Sequence, residues 1–185
     1  MTLPVLPWPA AARAVDGTLV LSVTTAGDRA TARRQIRQAL RDALGSLLGM
    51  AADAIELVSA PGQPMRLAGS DIGLSVSHET GLSIAAIHLH GPVGVDLMQV
   101  QVLPDQERLA HDYLGPQALA GIAVATNRAR CFAQEWTGHE ARLKCSGLAL
   151  MESTPQLQAQ LSRMPLQALA LPDGYVGMLA TGPSP

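Results

Sequence analysis

Between Arg29 and Gly49 the apolar residues Ile36, Leu40, Leu44 and Leu47 recur at three- and four-residue intervals, the mark of a helix with one buried face. Arg33, Arg37 and Arg41 follow every fourth residue on another side, with Arg34 beside them, and Gly49 stands where such a helix would stop. A second helical pattern runs from Arg128 to Ser146. There Phe132, Trp136, His139 and Leu143 keep the spacing, and Gly147 fits the left-handed position after the last turn. Gly138 inside it costs about 1 kcal/mol relative to alanine. Shorter stretches read as strands: Thr18 to Thr24, Leu74 to Ser77, Leu82 to Leu89 and Val93 to Leu97, with a turn at His90-Gly91-Pro92. On the last of these Val93, Val95 and Leu97 share one face, and Gly94, Asp96 and Met98 the other. Pro104 to Leu114 reads as helical and Pro61 to Pro64 as a loop; Leu169 to Leu171 and Val176 to Ala180 form a hairpin around Pro172-Asp173-Gly174. Strand, long helix and strands are followed by short helix, long helix and strands. That order predicts an α+β fold of two similarly laid-out halves, residues 1–90 and 91–185.

Composition narrows the picture. A chain of 185 residues, 48% apolar but only 3% aromatic, suits one sizeable domain or two small halves sharing an aliphatic core. The net charge of -2 argues against non-specific nucleic-acid binding. No apolar run approaches the roughly 20 residues of a bilayer span, so neither nucleic acid nor membrane is expected as a partner. Residues 1–15 carry prolines at 4, 7 and 9 and no basic start, a poor match to a secretory leader. On one helix Cys131 and Cys145 would lie about 21 Å apart, beyond the roughly 7 Å that a disulfide spans. Free thiols, and with them a cytoplasmic location, are expected.

The candidate chemistry sits in two segments. Glu140 and Lys144 are four residues apart on one helical face. In isolation such a pair is a surface ion pair worth a few tenths of a kcal/mol, roughly 0.2–0.5. Asp96, in isolation, is a strand-end residue. Together they read differently. Two carboxylates suit Mg²⁺, which keeps several waters and takes the rest of its shell from substrate phosphates. An adjacent amine would neutralise a phosphate. Lys144 is the single lysine among the 13 basic residues. Ser77-His78 is either a satisfied polar pair at a strand end or a pair of donors to a phosphate. The arginine stripe is either a solvated face or an anion site. His88 and His90 share a strand face, too few ligands for a metal site. No Gly-x-Ser-x-Gly nucleophile turn or Walker-type phosphate loop occurs.

These segments resemble the motifs of the phosphopantetheinyl transferase superfamily in its longer single-chain, surfactin-synthetase-activating form. That family carries Gly-Lys-Pro, Ser-His-Ser, Gly-(Val/Ile)-Asp-Ile-Glu and Trp-x-x-Lys-Glu-(Ala/Ser)-x-x-Lys-x-x-Gly. Here they stand, in order and at matching spacing, as Gly62-Gln63-Pro64, Ser77-His78-Glu79, Gly94-Val95-Asp96-Leu97-Met98 and Trp136 through Gly147. The resemblance spans residues 30–180 and implies two similar α+β halves packed as a monomeric pseudo-dimer, each a long helix against a small antiparallel sheet. Coenzyme A would lie between them. It implies Mg²⁺-dependent transfer of phosphopantetheine from coenzyme A to a serine of an acyl or peptidyl carrier protein, releasing 3′,5′-ADP, as in holo-[acyl-carrier-protein] synthases. Fatty-acid, polyketide and nonribosomal peptide pathways all use that reaction. Asp96 and Glu140 match the metal ligands, with Glu140 also the general base. Lys144 matches the pyrophosphate lysine, Ser77 and His78 the residues near the 3′-phosphate, and Arg34 adds to that phosphate site.

Four positions depart from the family pattern. Met98 replaces a glutamate, as in some family members. Gln63 and His139 replace lysines and Glu79 a serine, so the expected coenzyme A cleft is less positive. The alternative reading is therefore a catalytically decayed paralogue that binds a carrier protein or another partner without transferring anything.

Overall fold

The computed structural model describes residues 2–9, 13–25, 27–60 and 63–182, so Pro61 and Gly62 of the expected loop lie outside the described residues. In chain order the elements are β1 (Leu3–Pro4), β2 (Leu6–Pro7), β3 (Thr18–Thr24), α1 (Arg29–Leu48), β4 (Leu57–Val58), β5 (Arg66–Leu67), β6 (Gly73–Glu79), β7 (Leu82–His88) and β8 (Val93–Gln99). They continue with α2 (Gln106–Leu109), α3 (Pro116–Val124), α4 (Arg128–Cys145), α5 (Pro155–Leu161), β9 (Leu166–Ala170) and β10 (Tyr175–Thr181). The fold is α+β. One sheet has the order β2-β3-β7-β6-β5-β4 and the other β1-β9-β10-β8. β1, near the N-terminus, pairs in parallel with β9, so the opening residues join the second sheet.

Alternation along β3 and β7 explains the layering. Leu19, Leu21, Val23, Ala85 and Ile87 pack under Ile36, Leu40 and Leu44 of α1. Val20, Ile84 and Ala86 point the other way, against Val93, Val95 and Leu97 of β8 and Leu179 of β10. On the far side of the second sheet Ala180 and Met178 meet Ala141 and Cys145 of α4. The layers therefore run α1, sheet, sheet, α4. Both long helices end and begin as their sequences suggest. Asp28 caps α1 by accepting from Thr31 N at 2.7 Å, and Gly49 takes the left-handed conformation at its end. Asn127 caps α4 in the same way through Arg130 N at 2.9 Å.

One joint between the sheets bears directly on the site. β8 is an edge strand, so the N–H groups that do not reach β10 need other acceptors. β6 supplies them from alternate side chains. Ser75 Oγ accepts from Val95 N at 3.0 Å, Ser77 Oγ from Leu97 N at 3.2 Å and Glu79 Oε2 from Gln99 N at 3.3 Å.

Several elements differ from the sequence reading. The helix expected from Pro104 begins at Gln106 and widens into a π-helical turn over Ala110–Leu114, which buries both of that turn's end residues. The last hairpin starts at Leu166 rather than Leu169, because Leu166 pairs with Ala180. α3 and α5 are additional helices.

Candidate functional site

Glycine 94 determines how close α4 comes to β8. A Cβ at this position would lie 1.9 Å from Ala141 O and 2.5 Å from Cys145 N, so the backbones of helix and strand are in contact there. The next residue on the same strand face is Asp96, and the helix presents Glu140 and Lys144 on either side of Ala141. The sequence thus places two carboxylates and an amine where a strand and a helix touch.

Lys144 Nζ donates to Asp96 Oδ1 at 2.7 Å, to Val95 O at 3.1 Å and, more weakly, to Val76 O at 3.5 Å. Its three protons are thus directed at both sheets. Asp96 is buried, with its side chain 11% exposed, and Lys144 is half-buried at 31%. Ser77 Oγ donates to the same Asp96 Oδ1 at 2.8 Å. Glu140 is half-buried. Burial first, and then the charge of Asp96, push its carboxyl above the ordinary carboxylate range, while Lys144 pulls it back. A half-buried carboxyl whose proton affinity is raised by burial and by a second carboxylate forms with it an oxygen donor set that a hard divalent cation would relieve. Among the described residues no group of three or more His, Cys, Asp and Glu side chains gathers into a metal cluster. Met98 shows why: it packs against the apolar cluster of Phe132, Leu114 and Ile122, leaving Asp96 and Glu140 as the pair.

The phosphate candidates divide. His78 Nδ1 pairs with Ser83 Oγ at 2.8 Å, and the ring lines a cavity of about 450 Å³ with Arg29, Asp28 and Thr25. Burial chiefly, then Arg33, Arg29 and Lys144, hold its imidazole below the usual range. The guanidinium charges that act on His78 are therefore those of Arg33 and Arg29, and Arg29 lines its cavity. Arg34 instead donates to Thr31 Oγ1 at 2.8 Å in an exposed position. Lys144 lines a neighbouring cleft of about 650 Å³ whose other walls include Pro64, Arg66, Gly73 and Pro92. Gln63 is exposed beside it. Glu79 is occupied locally, accepting from Thr80 N at 2.8 Å as well as from Gln99.

His139 does not face that cleft. It is buried, with Nε2 lacking a hydrogen-bond partner among the described residues, and it lines a separate cavity of about 330 Å³ with Glu135, Arg142 and Leu166. One residue along a helix turns about 100°, so His139 and its neighbour Glu140 look into different spaces. Arg29 was not singled out from sequence. Its only available signal was its place four residues before Arg33, on the same helix face.

Cys131 and Cys145 are free thiols, and burial pushes the Cys145 thiol up to about 11. No described helix is long and apolar enough to cross a membrane.

No family model matches the chain. Among characterised proteins it is similar to the 4′-phosphopantetheinyl transferase HetI of Nostoc sp. (strain PCC 7120 / SAG 25.82 / UTEX 2576). The two are 29% identical over 154 residues, covering 76% of this chain and 64% of the relative. The chain therefore spans just under two thirds of that relative's length. The resemblance to the phosphopantetheinyl transferase superfamily read from the motifs is borne out by this match.

Proposed function

We propose that the chain, as a member of the phosphopantetheinyl transferase superfamily, moves the phosphopantetheine arm of coenzyme A onto a serine hydroxyl of an acyl or peptidyl carrier protein. The observation that supports it most is the meeting of Asp96, Glu140 and Lys144 at the α4–β8 contact, with Lys144 Nζ 2.7 Å from Asp96 Oδ1. A Mg²⁺ ion held by Asp96 and Glu140 would supply charge neutralisation at the pyrophosphate. The chain's own residues carry the rest. Lys144 exchanges one of its backbone acceptors for a phosphate oxygen and so stabilises the charge that gathers there as the bond to the leaving group lengthens. Glu140, made more basic by burial and by Asp96, accepts the proton of the incoming serine hydroxyl. The serine oxygen bonds to the phosphorus attached to pantetheine. The bond from that phosphorus to the bridging oxygen breaks, and 3′,5′-ADP leaves with the bond's electron pair.

Arg29, Arg33 and the free edge of His78 suit the 3′-phosphate, and Lys144 lines the other cleft, beside Pro64. The second reading, a decayed partner-binding paralogue, draws on Met98, which adds an apolar contact where the family pattern has a carboxylate. One experiment separates the two. The purified chain is incubated with coenzyme A, Mg²⁺ and a panel of apo carrier proteins, and the carriers are weighed by mass spectrometry. A phosphopantetheine-sized mass gain that disappears in Asp96→Ala and Glu140→Ala supports the transferase. No gain on any carrier, or full gain in either variant, removes it.

A further inference from the structure

The family resemblance would give Ser77 to a phosphate, but its hydrogen bonds point elsewhere. A serine hydroxyl has one proton. Here that proton goes to Asp96 Oδ1 at 2.8 Å, and a lone pair takes the Leu97 N–H at 3.2 Å. The side chain is buried, at 6% exposure. A phosphate oxygen needs a donor, and this hydroxyl has none left to offer. The carboxylate oxygen it holds is the one that Lys144 also holds. Anchored to the backbone of the next residue on β8, the hydroxyl fixes the rotation of the Asp96 carboxylate and leaves Oδ2 as the oxygen for a ligand. We infer that Ser77 is a positioning residue for Asp96, setting the carboxylate that the proposed transferase uses to hold its divalent ion.

The same strand contains its own control. Ser75 lies two residues earlier on the same face, is equally buried at 7%, and accepts from Val95 N at 3.0 Å. It completes the same inter-sheet joint but donates to no carboxylate among the described residues. Loss of either hydroxyl removes one strand acceptor, and only loss of Ser77 releases Asp96.

The inference rests on the proposed function, and the test keeps the two apart. Mn²⁺ serves as probe, being an oxygen-preferring ion of similar coordination to Mg²⁺. Its affinity is measured by calorimetry on the full chain for wild type, Ser75→Ala and Ser77→Ala, alongside melting temperature and kcat and KM for coenzyme A and 3′-dephospho-coenzyme A. The two variants should melt lower by similar amounts. Ser77→Ala should weaken Mn²⁺ about tenfold, the lower end for loss of a group that orients a metal ligand, and lower kcat while KM for coenzyme A holds. Ser75→Ala should bind Mn²⁺ as wild type does. If Ser77→Ala does not fold, Ser77→Cys keeps the shape with a weaker donor and should move in the same direction. Unchanged Mn²⁺ affinity in the Ser77 variant, or equal loss in both, overturns the positioning role alone. So does a Ser77 variant that no longer distinguishes coenzyme A from its 3′-dephospho form, since that would place the hydroxyl at the phosphate. Wild-type protein that neither binds Mn²⁺ nor transfers overturns the proposed function and this inference with it.

Discussion

The carbonyl of Ala141 rests on Gly94, close enough that a single added carbon would sit 1.9 Å from its oxygen. The neighbours of these two residues are the candidate site: Asp96 two positions along the strand, Glu140 and Lys144 on the helix.

Gly94→Ala should therefore act on both stability and chemistry. The new methyl must push α4 outward, a small-to-large change in a packed contact that costs about 1–3 kcal/mol. The same displacement draws Lys144 Nζ away from its 2.7 Å contact with Asp96. A lower thermal midpoint together with a larger fall in kcat than in folded fraction is the expected outcome. A variant that melts normally and transfers normally would mean the helix accommodates the methyl without moving the site.

Lys144 offers a cleaner handle, because no other lysine is present. Lys144→Ala should reduce turnover by roughly 10- to 1000-fold, the range for one lost charged contact to a developing anion. Amine-selective reagents should label only Lys144 and the N-terminus, and coenzyme A with Mg²⁺ should protect Lys144. Equal labelling with and without coenzyme A would place the nucleotide elsewhere.

How much of this was legible in the sequence follows from the range of each interaction. α1 and α4 were readable because their apolar spacing is local; even His139 falls inside, as its place in the Phe132–Leu143 stripe predicted. The shared helix face of Glu140 and Lys144 was likewise local. Their meeting with Asp96 was reached through the motif resemblance and has its physical cause in Gly94, which the alternation pattern could only place on the same face. α3 escaped notice because Ala118 to Val124 is a continuous apolar run with a glycine inside it, which carries no helical period. α5 did carry signals, Thr154 as cap and Pro155 in its first turn, but it spans only 7 residues. The Ser75–Ser77–Glu79 ladder was beyond reach. Polar residues at every second position mark a strand face, and nothing local says that the amides they serve lie about 20 residues on, in a different sheet.

A pH dependence of stability follows from three imidazoles, those of the buried His88 and His139 and the half-buried His78. His88 is paired with Thr18 Oγ1 at 2.9 Å; burial, then the neighbouring His90, lower its affinity for protons, while its backbone contact with Gly17 acts the other way. His78 is lowered as well, by burial and then by Arg33, Arg29 and Lys144, and His139 by burial and then by Arg142. A base whose folded value lies below its unfolded one binds protons better when the chain is unfolded. Its contribution to stability is complete above the unfolded value of about 6.5 and is lost as pH falls through 6.5 toward the folded values. Glu140 works in the opposite sense, because its carboxyl is raised above the ordinary carboxylate range and so takes up protons more readily in the folded chain. Urea midpoints should thus fall as pH drops below about 6.5, and His88→Gln should flatten part of that slope. A midpoint independent of pH between about 7 and 5 would contradict the neutral state of these rings in the folded chain.

The first-helix arginines make the sharpest comparison, because neighbours in sequence are given different work. All three are exposed, but Arg33 and Arg29 act on His78, whereas Arg34 donates to Thr31 Oγ1. If the cavity beside His78 takes the 3′-phosphate, Arg29→Ala and Arg33→Ala should each raise KM for coenzyme A about tenfold, equivalent to about 1.4 kcal/mol for one charge-assisted contact. Both should leave KM for 3′-dephospho-coenzyme A nearly unchanged, since that substrate lacks the group they hold. Arg34→Ala should change neither. The two substrates report on different ends of the nucleotide, so a general loss of folded protein would raise both values together and be recognised as such. Equal sensitivity in Arg34→Ala, confined to coenzyme A, would move the phosphate out of the His78 cavity and toward Arg34.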